Sequence, residues 1–202
     1  GLPRVEELFE ARKPKKMAQL AEIGGRISIE ETKRNIMCNV TITADDGEVV
    51  TYALPYSAGL RVKDGDVVEK GFQLTEGALS PHEVLRIRGL SECHNYLIRE
   101  VQKVYRQQGV DTNDKHIEVI IRQMMRKVRV EDAGDSDLLS GSTVDIVEFR
   151  DAEETVRARI ESGEKNEQGE ELRVPTCTRL LMGITKASLA TDSFLSAASF
   201  QE

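Results

Sequence analysis

Two groups of cationic side chains carry the most specific chemistry in this chain. Arg12-Lys13-Pro14-Lys15-Lys16 gathers four positive charges around a proline that cannot continue a helix. Such a run can neutralise nucleic-acid phosphates without reading sequence, although most runs of this kind are simply solvated turns. Lys186 lies in Gly183-Ile184-Thr185-Lys186-Ala187-Ser188-Leu189. There Thr185 is expected to cap a helix sided by Ala, Ser and Thr, with Leu189, Phe194 and Leu195 as its few large apolar anchors. Free N–H groups and an ammonium at a helix start could hold a phosphate, and small side chains could equally serve close packing against another helix. The residues alone leave both open.

Other candidate chemistries are weaker. Asp135-Ser136-Asp137 places two carboxylates in a turn with no third ligand near in sequence, so it reads as a turn. His82, His94 and His116 are assigned no catalytic role, and His116, at a helix start, reads as a structural hydrogen-bonding residue. Cys38, Cys93 and Cys177 are far apart, without the pairs of a zinc site or the even count of a disulfide scaffold, which fits a reducing cytoplasm. Lys63 and Lys70 flank an Asp64-Gly65-Asp66 turn reminiscent of biotin or lipoyl carriers, but neither has the Met-Lys-Met or Asp-Lys-Ala setting that those carriers need.

The elements that must position these groups are read from periodicity. Val5, Leu8 and Phe9 share a face of a short helix within Leu2 to Arg12, with Pro3 in its first turn. From Met17 to Leu79 the signals are those of strands. Val40 and Ile42 alternate with polar neighbours, Asp45-Asp46-Gly47 turns the chain, and Glu48 to Leu54 returns it as a hairpin. Ser80-Pro81-His82-Glu83 reads as a capping box opening a helix that Gly89 ends. A second helix is expected from about Glu92 to Gln107, with Gly109 left-handed beyond it. A third, capped at Asn113-Asp114, would carry Ile117, Ile120, Ile121, Met124, Met125 and Val128 as one stripe and pack on the second as a hairpin. Lys127 to Glu131, Thr143 to Phe149 and Arg173 to Met182 read as strands, and Glu161 to Glu171 as a charged, mobile surface loop.

Composition sets the frame. At 202 residues and 39% hydrophobic, the chain can bury a core, and its net charge of −7 announces neither a nucleic-acid nor a membrane partner. No apolar run approaches the ~20 residues of a membrane span. The fold class expected is α+β: a small antiparallel β barrel-sandwich beside a helical hairpin, with short flanking helices and strands. The chain opens on Gly1-Leu2-Pro3 and stops at Phe200-Gln201-Glu202 inside an expected helix, so it reads as a piece of something longer.

Three sets of blocks together resemble one family. They are Gly1-Leu2-Pro3-Arg4-Val5 with Leu8-Phe9-Glu10-Ala11-Arg12, Asn113-Asp114-Lys115-His116-Ile117-Glu118 with Arg122-Gln123-Met124, and Gly183-Ile184-Thr185-Lys186-Ala187-Ser188-Leu189-Ala190-Thr191 with Ser196-Ala197-Ala198-Ser199-Phe200-Gln201-Glu202. The chain closely resembles the carboxy-terminal region of the beta-prime subunit of bacterial DNA-directed RNA polymerase. Between the blocks, Arg26 to Tyr56 and Ala152 to Val174 carry no such motif. The resemblance implies the end of the trigger loop with its basic turn at 1–16, a β-rich jaw at 17–79, a central helical hairpin at 80–130, strands with a mobile loop at 131–182, and switch 1 at 183–202.

By the same resemblance the whole enzyme performs two-magnesium nucleotidyl transfer. The family's Asn-Ala-Asp-Phe-Asp-Gly-Asp loop does not occur in this sequence, so the segment by itself is expected to be inactive, with no cofactor of its own and with magnesium and zinc elsewhere in the subunit. The implied partners are DNA, the beta, alpha and omega subunits, a sigma factor and possible transcription regulators at the jaw; the implied location is the cytoplasm, at the nucleoid. DNA contact is expected from Lys186 and from Arg12, Lys13, Lys15 and Lys16. The competing class is an interaction platform that binds regulators without touching DNA.

Overall fold

A computed structural model describes residues 1–32, 36–190, 195, 198 and 199. The chain divides into two compact units, Gly1–Asp114 and Lys115–Glu202. Among the described residues there are six α-helices and two antiparallel sheets, a mixed α and β fold in which one sheet curls into a half-barrel.

In the first unit α1 (Leu2–Phe9) has a proline in its opening turn and buries Val5, Leu8 and Phe9. The chain then enters β1 (Gly25–Glu31), β2 (Met37–Thr43), β3 (Val49–Pro55) and β4 (Val67–Val68), which pair in the order β3-β2-β1-β4. Alternation decides which face is core. Val40, Ile42 and Cys38 of β2 are buried with Ile27, Leu54, Val62, Val68, Leu74 and Ala21, while their polar neighbours face outward. The expected hairpin is present: Thr43 pairs with Val49, Gly47 has φ 91°, and Asp46 Oδ1 accepts from Glu48 N at 2.9 Å.

The helices that follow are α2 (Pro81–Arg88) and α3 (Leu90–Gln107), divided by Gly89 at φ 95°. Both α1 and α2 pack on α3. The C-terminus of α3 closes as a Schellman motif: Val110 N donates to Tyr105 O at 2.9 Å, Gly109 N donates to Arg106 O at 3.1 Å, and Gly109 has φ 72°. Two local expectations need correction. Ser80 occupies the N-cap of α2, but its hydroxyl makes no cap bond and is buried without a partner among the described residues, while Glu83 turns to Arg86 at 2.6 Å. The second helix begins at Leu90 rather than Glu92, since Gly89 both ends α2 and N-caps α3.

The second unit opens with α4 (Asp114–Met124) and contains β5 (Lys127–Asp132), β6 (Thr143–Asp145), α5 (Ile146–Glu161), β7 (Thr176–Arg179) and α6 (Ile184–Leu189). Its sheet runs β6-β5-β7, with a register shift between Val130 and Asp132. Val128, Val130 and Phe149 form its buried cluster. In α4, Ile117, Ile121 and Met124 are buried as expected, but Ile120 is exposed and Val128 belongs to β5. Since the two units meet at residue 114, α3 and α4 belong to different units.

The largest departure is α5. The alternation of Thr143 to Phe149 predicts a strand, yet β6 stops at Asp145 and a 16-residue helix follows. Asp145 caps it by accepting from Val147 N at 2.9 Å, and Glu148 stands three residues on in the first turn. The segment after α5 is a compact turn. Asn166 Oδ1 accepts from Gln168 N and Glu170 N, and a bridge joins Lys165 to Glu171.

The Val147 amide first, then Arg126 (2.8 Å) and Lys127, hold the Asp145 carboxyl below its ordinary range. A folded pKa below the unfolded value means that the cap stabilises above about pH 4 and loses this contribution as pH falls through the folded value. Asp145→Ala is therefore expected to destabilise the second unit by about 1 kcal/mol at pH 7. In chemical denaturation the gap from wild type should close as the pH is lowered below about 4.

Candidate nucleic-acid interface

Arg12 to Lys16 follows α1 directly, and α1 ends in an unusual way. Arg12 N donates to Glu7 O at 3.0 Å and Ala11 N to Leu8 O at 3.1 Å, the bond pattern of a Schellman motif. That motif needs a left-handed residue, and here Ala11 takes it at φ 50°, where glycine is usual. The left-handed conformation costs a residue with a Cβ roughly 1–2 kcal/mol. Ala11 is buried, and its carbonyl accepts from His82 Nε2 at 2.8 Å across 71 positions of sequence.

The other end of the segment is clasped by backbone. Ala78 N donates to Lys16 O at 3.0 Å and Ala18 N to Ala78 O at 2.9 Å, and Met17 and Ala78 form a bridge. Gly77 makes the approach possible. With φ 131°, a Cβ there would sit 2.7 Å from Lys16 O and 3.2 Å from Ala18 N. Between these anchors Lys13, Lys15 and Lys16 are exposed and pair with no carboxylate among the described residues. Arg12 is exposed and pairs with Glu6 at 3.1 Å, an exposed pair of small energetic weight.

Lys186 lies in the second unit, exposed on α6. The helix starts two residues earlier than expected: Gly183 is the N-cap, and Thr185 lies inside the first turn. The described part of α6 is six residues long. Of the expected apolar anchors, Leu189 and Leu195 are exposed, and Phe194 lies outside the described residues. The four cations of 12–16 are thus brought together by local sequence, while Lys186 belongs to another body.

The remaining candidates have structural partners. Asp135 Oδ2 accepts from Arg173 N at 2.7 Å, and Ser136 Oγ donates to Ala133 O at 2.5 Å, so this stretch ties a turn to the strand leading into β7. Cys93 is fully buried and donates to Pro81 O at 3.3 Å; burial pushes its thiol up to about 12, far from a nucleophile's range. His116 is exposed, and His94 keeps a buried Nε2 without a partner among the described residues. His82 is the residue whose role the sequence did not disclose, since its partner is a carbonyl that only the fold brings near. A cationic pair was also missed: Arg179 donates to Met125 O at 3.0 Å, and burial and then the charge of Arg150 lower its pKa. Here again the signal is in the tertiary fold, since Arg179 on β7 and Arg150 on α5 are 29 positions apart in sequence.

The class to which this chain belongs is the RNA polymerase Rpb1, domain 5 family, whose model matches residues 4–192. Among curated proteins it is 58% identical over 203 residues to the "DNA-directed RNA polymerase subunit beta'" of Symbiobacterium thermophilum. It is 55% identical to the protein of that name from Acetivibrio thermocellus and 54% to that from Clostridium acetobutylicum. In each case all of this chain is matched, and it spans 16% of the relative's length.

Gly77→Ala tests the clasp. The added methyl cannot be placed without moving the Lys16 carbonyl, so amide exchange at Ala18 and Ala78 should accelerate at least tenfold while that at Val40 and Ile42 stays slow.

Proposed function

We propose that this chain is a DNA-contacting part of the largest subunit of a bacterial DNA-directed RNA polymerase. The observation that carries this reading is the similarity to beta' subunits along the chain's entire length, at up to 58% identity. Three exposed lysines without carboxylate partners among the described residues, presented between two backbone anchors, supply the chemistry. Clustered, unpaired cations on a fixed backbone are suited to phosphates, whose neutralisation releases counterions. In this reading residues 1–16 are the end of the trigger loop and 17–79 the barrel-sandwich jaw beside the downstream duplex. Residues 80–130 are the central helices, and 183–202 are switch 1 against the template backbone.

The segment works inside a nucleotidyltransferase whose magnesium loop and zinc sites belong to other parts of the subunit. Its protein partners are the beta, alpha and omega subunits and a sigma factor. Catalysis is supplied elsewhere, and this stretch contributes grip on the nucleic acid.

One observation favours a second reading, a platform for regulators. Ile29, Cys38, Tyr56 and Leu60, with Glu31 and Lys63, line a groove of about 610 Å³ in the β module, and Tyr56 and Ile36 are strongly exposed. Salt separates the two, because phosphate contacts weaken steeply with salt whereas an apolar interface does not.

In the complete polymerase, Lys186→Glu is expected to shorten promoter-complex half-life on all sequences alike and to lower the salt slope by about 1, the weight of one phosphate contact. Equal half-lives and equal slopes for the variant and wild type would remove Lys186 from the DNA-binding residues.

A further inference from the structure

A flexible cationic loop loses much conformational entropy when it grips a phosphate, so a loop that grips well is one whose backbone is already fixed. The backbone of 12–16 is fixed by residues outside it. At its far end Ala78 and Gly77 hold Lys16. At its near end the chain turns through Ala11, the sole described non-glycine residue with positive φ, and leaves α1 in the direction this residue sets. A strained conformation persists only where the surroundings over-determine it. Here the surroundings are the two Schellman bonds and the hydrogen bond from His82.

His82 is well placed to act as a fixed post. It occupies the second position of α2, after a buried Pro81, and α2 is anchored by buried Val84 and Ile87. Both α2 and α1 pack on α3, so donor and acceptor ride on one frame. A carbonyl can only accept, so Nε2 carries the proton and donates to Ala11 O.

We propose that His82 is the positioning residue of the basic segment: by donating to the Ala11 carbonyl it fixes the exit of the chain from α1 and so aims Arg12, Lys13, Lys15 and Lys16 together at a phosphate backbone. This inference rests on the reading of 12–16 as a phosphate contact. His82 itself touches no DNA and acts through the loop. It also accounts for why an alanine is held left-handed at this turn.

The test uses the complete holoenzyme on one promoter fragment, with dissociation measured from low to moderate salt. Replacing Lys13, Lys15 and Lys16 together by Gln should lower the salt slope by about 2–3, close to one unit per lost contact. His82→Leu, which fills the space but cannot donate, should lower it by about 1 and accelerate dissociation several-fold. His82→Gln, whose amide can donate to the same carbonyl, should restore most of both. Ile42→Val, a mild core change in the same unit, should leave the slope at the wild-type value. Amide exchange at Arg12 and Lys13 should quicken in His82→Leu while Val84 and Ile87 remain protected.

A wild-type slope in His82→Leu, when the triple lysine variant has lost it, overturns the positioning role and leaves the phosphate reading standing. Equal losses in His82→Leu, His82→Gln and Ile42→Val overturn it too, as the signature of a merely structural residue. An unchanged slope in the triple lysine variant overturns the phosphate contact of 12–16 and the inference with it.

Discussion

The structure of the first unit depends on its β module beginning and ending at the same place. Residues 16–21 run beside 71–78, joined by the pairings Met17 with Ala78 and Leu20 with Gln73. Ala21 N donates to Phe72 O, Leu74 N to Gln19 O and Gly71 N to Ala21 O, each at 2.8 Å. The buried hydroxyl of Thr75 accepts from Gln19 N. Because the module's ends are tied, α1 before it and α2 after it can pack on the same helix, α3. The module is thus an insertion in a helical frame, and its closure brings α1 and α2 close enough for His82 to reach Ala11.

Charged contacts on this frame are auxiliary. Arg86 joins α2 to the module through Glu22 at 2.9 Å while also pairing with Glu83, and its guanidinium pKa is raised by both. Arg88 Nε donates to Gly71 O at 2.8 Å. These groups are partly solvated, so each contributes little beside the apolar clusters of Val5, Leu8, Val84 and Leu97. The charge pattern matters more for binding than for folding. A chain of net charge −7 is acidic on average, yet among the described residues the carboxylates that form ion pairs, such as Glu6, Glu83 and Glu164, do so with arginines, and none pairs with the lysines of 12–16. Local positive surface can thus persist in a protein that is acidic on average.

In the second unit a short sheet is held by its turns. The Gly134 backbone runs so close to Arg173 that a Cβ would meet its carbonyl oxygen at 2.4 Å. Asp135 and Arg173 then exchange bonds in both directions, with Asp135 N donating to Arg173 O at 3.0 Å. Asp135, in the stretch read from sequence as a turn, thus ties the turn after β5 to the segment that leads into β7.

By itself the sequence determined what is local. The α1 face, the β2-β3 hairpin, the glycines at 47, 89 and 109 and the C-terminal end of α3 all follow from period and turn chemistry, which act over a few residues. The family was legible too, in blocks spread along the chain. Where local signals conflicted they misled: Val144, Ile146, Val147 and Phe149 look like a strand, and only the Asp145 cap and the Glu148 beyond it betray α5. Ser80 and Glu83 have the residue types of a capping box, but the Ser80 hydroxyl is buried without a partner among the described residues and Glu83 pairs with Arg86 instead. The basic run was visible as composition, but its presentation was not. Whether four cations form a loose turn or a fixed surface is decided by Gly77, Ala78 and His82, residues more than sixty positions away. Chain closure brings them to Ala11 and Lys16, and sequence patterns of short period contain no term for such distances.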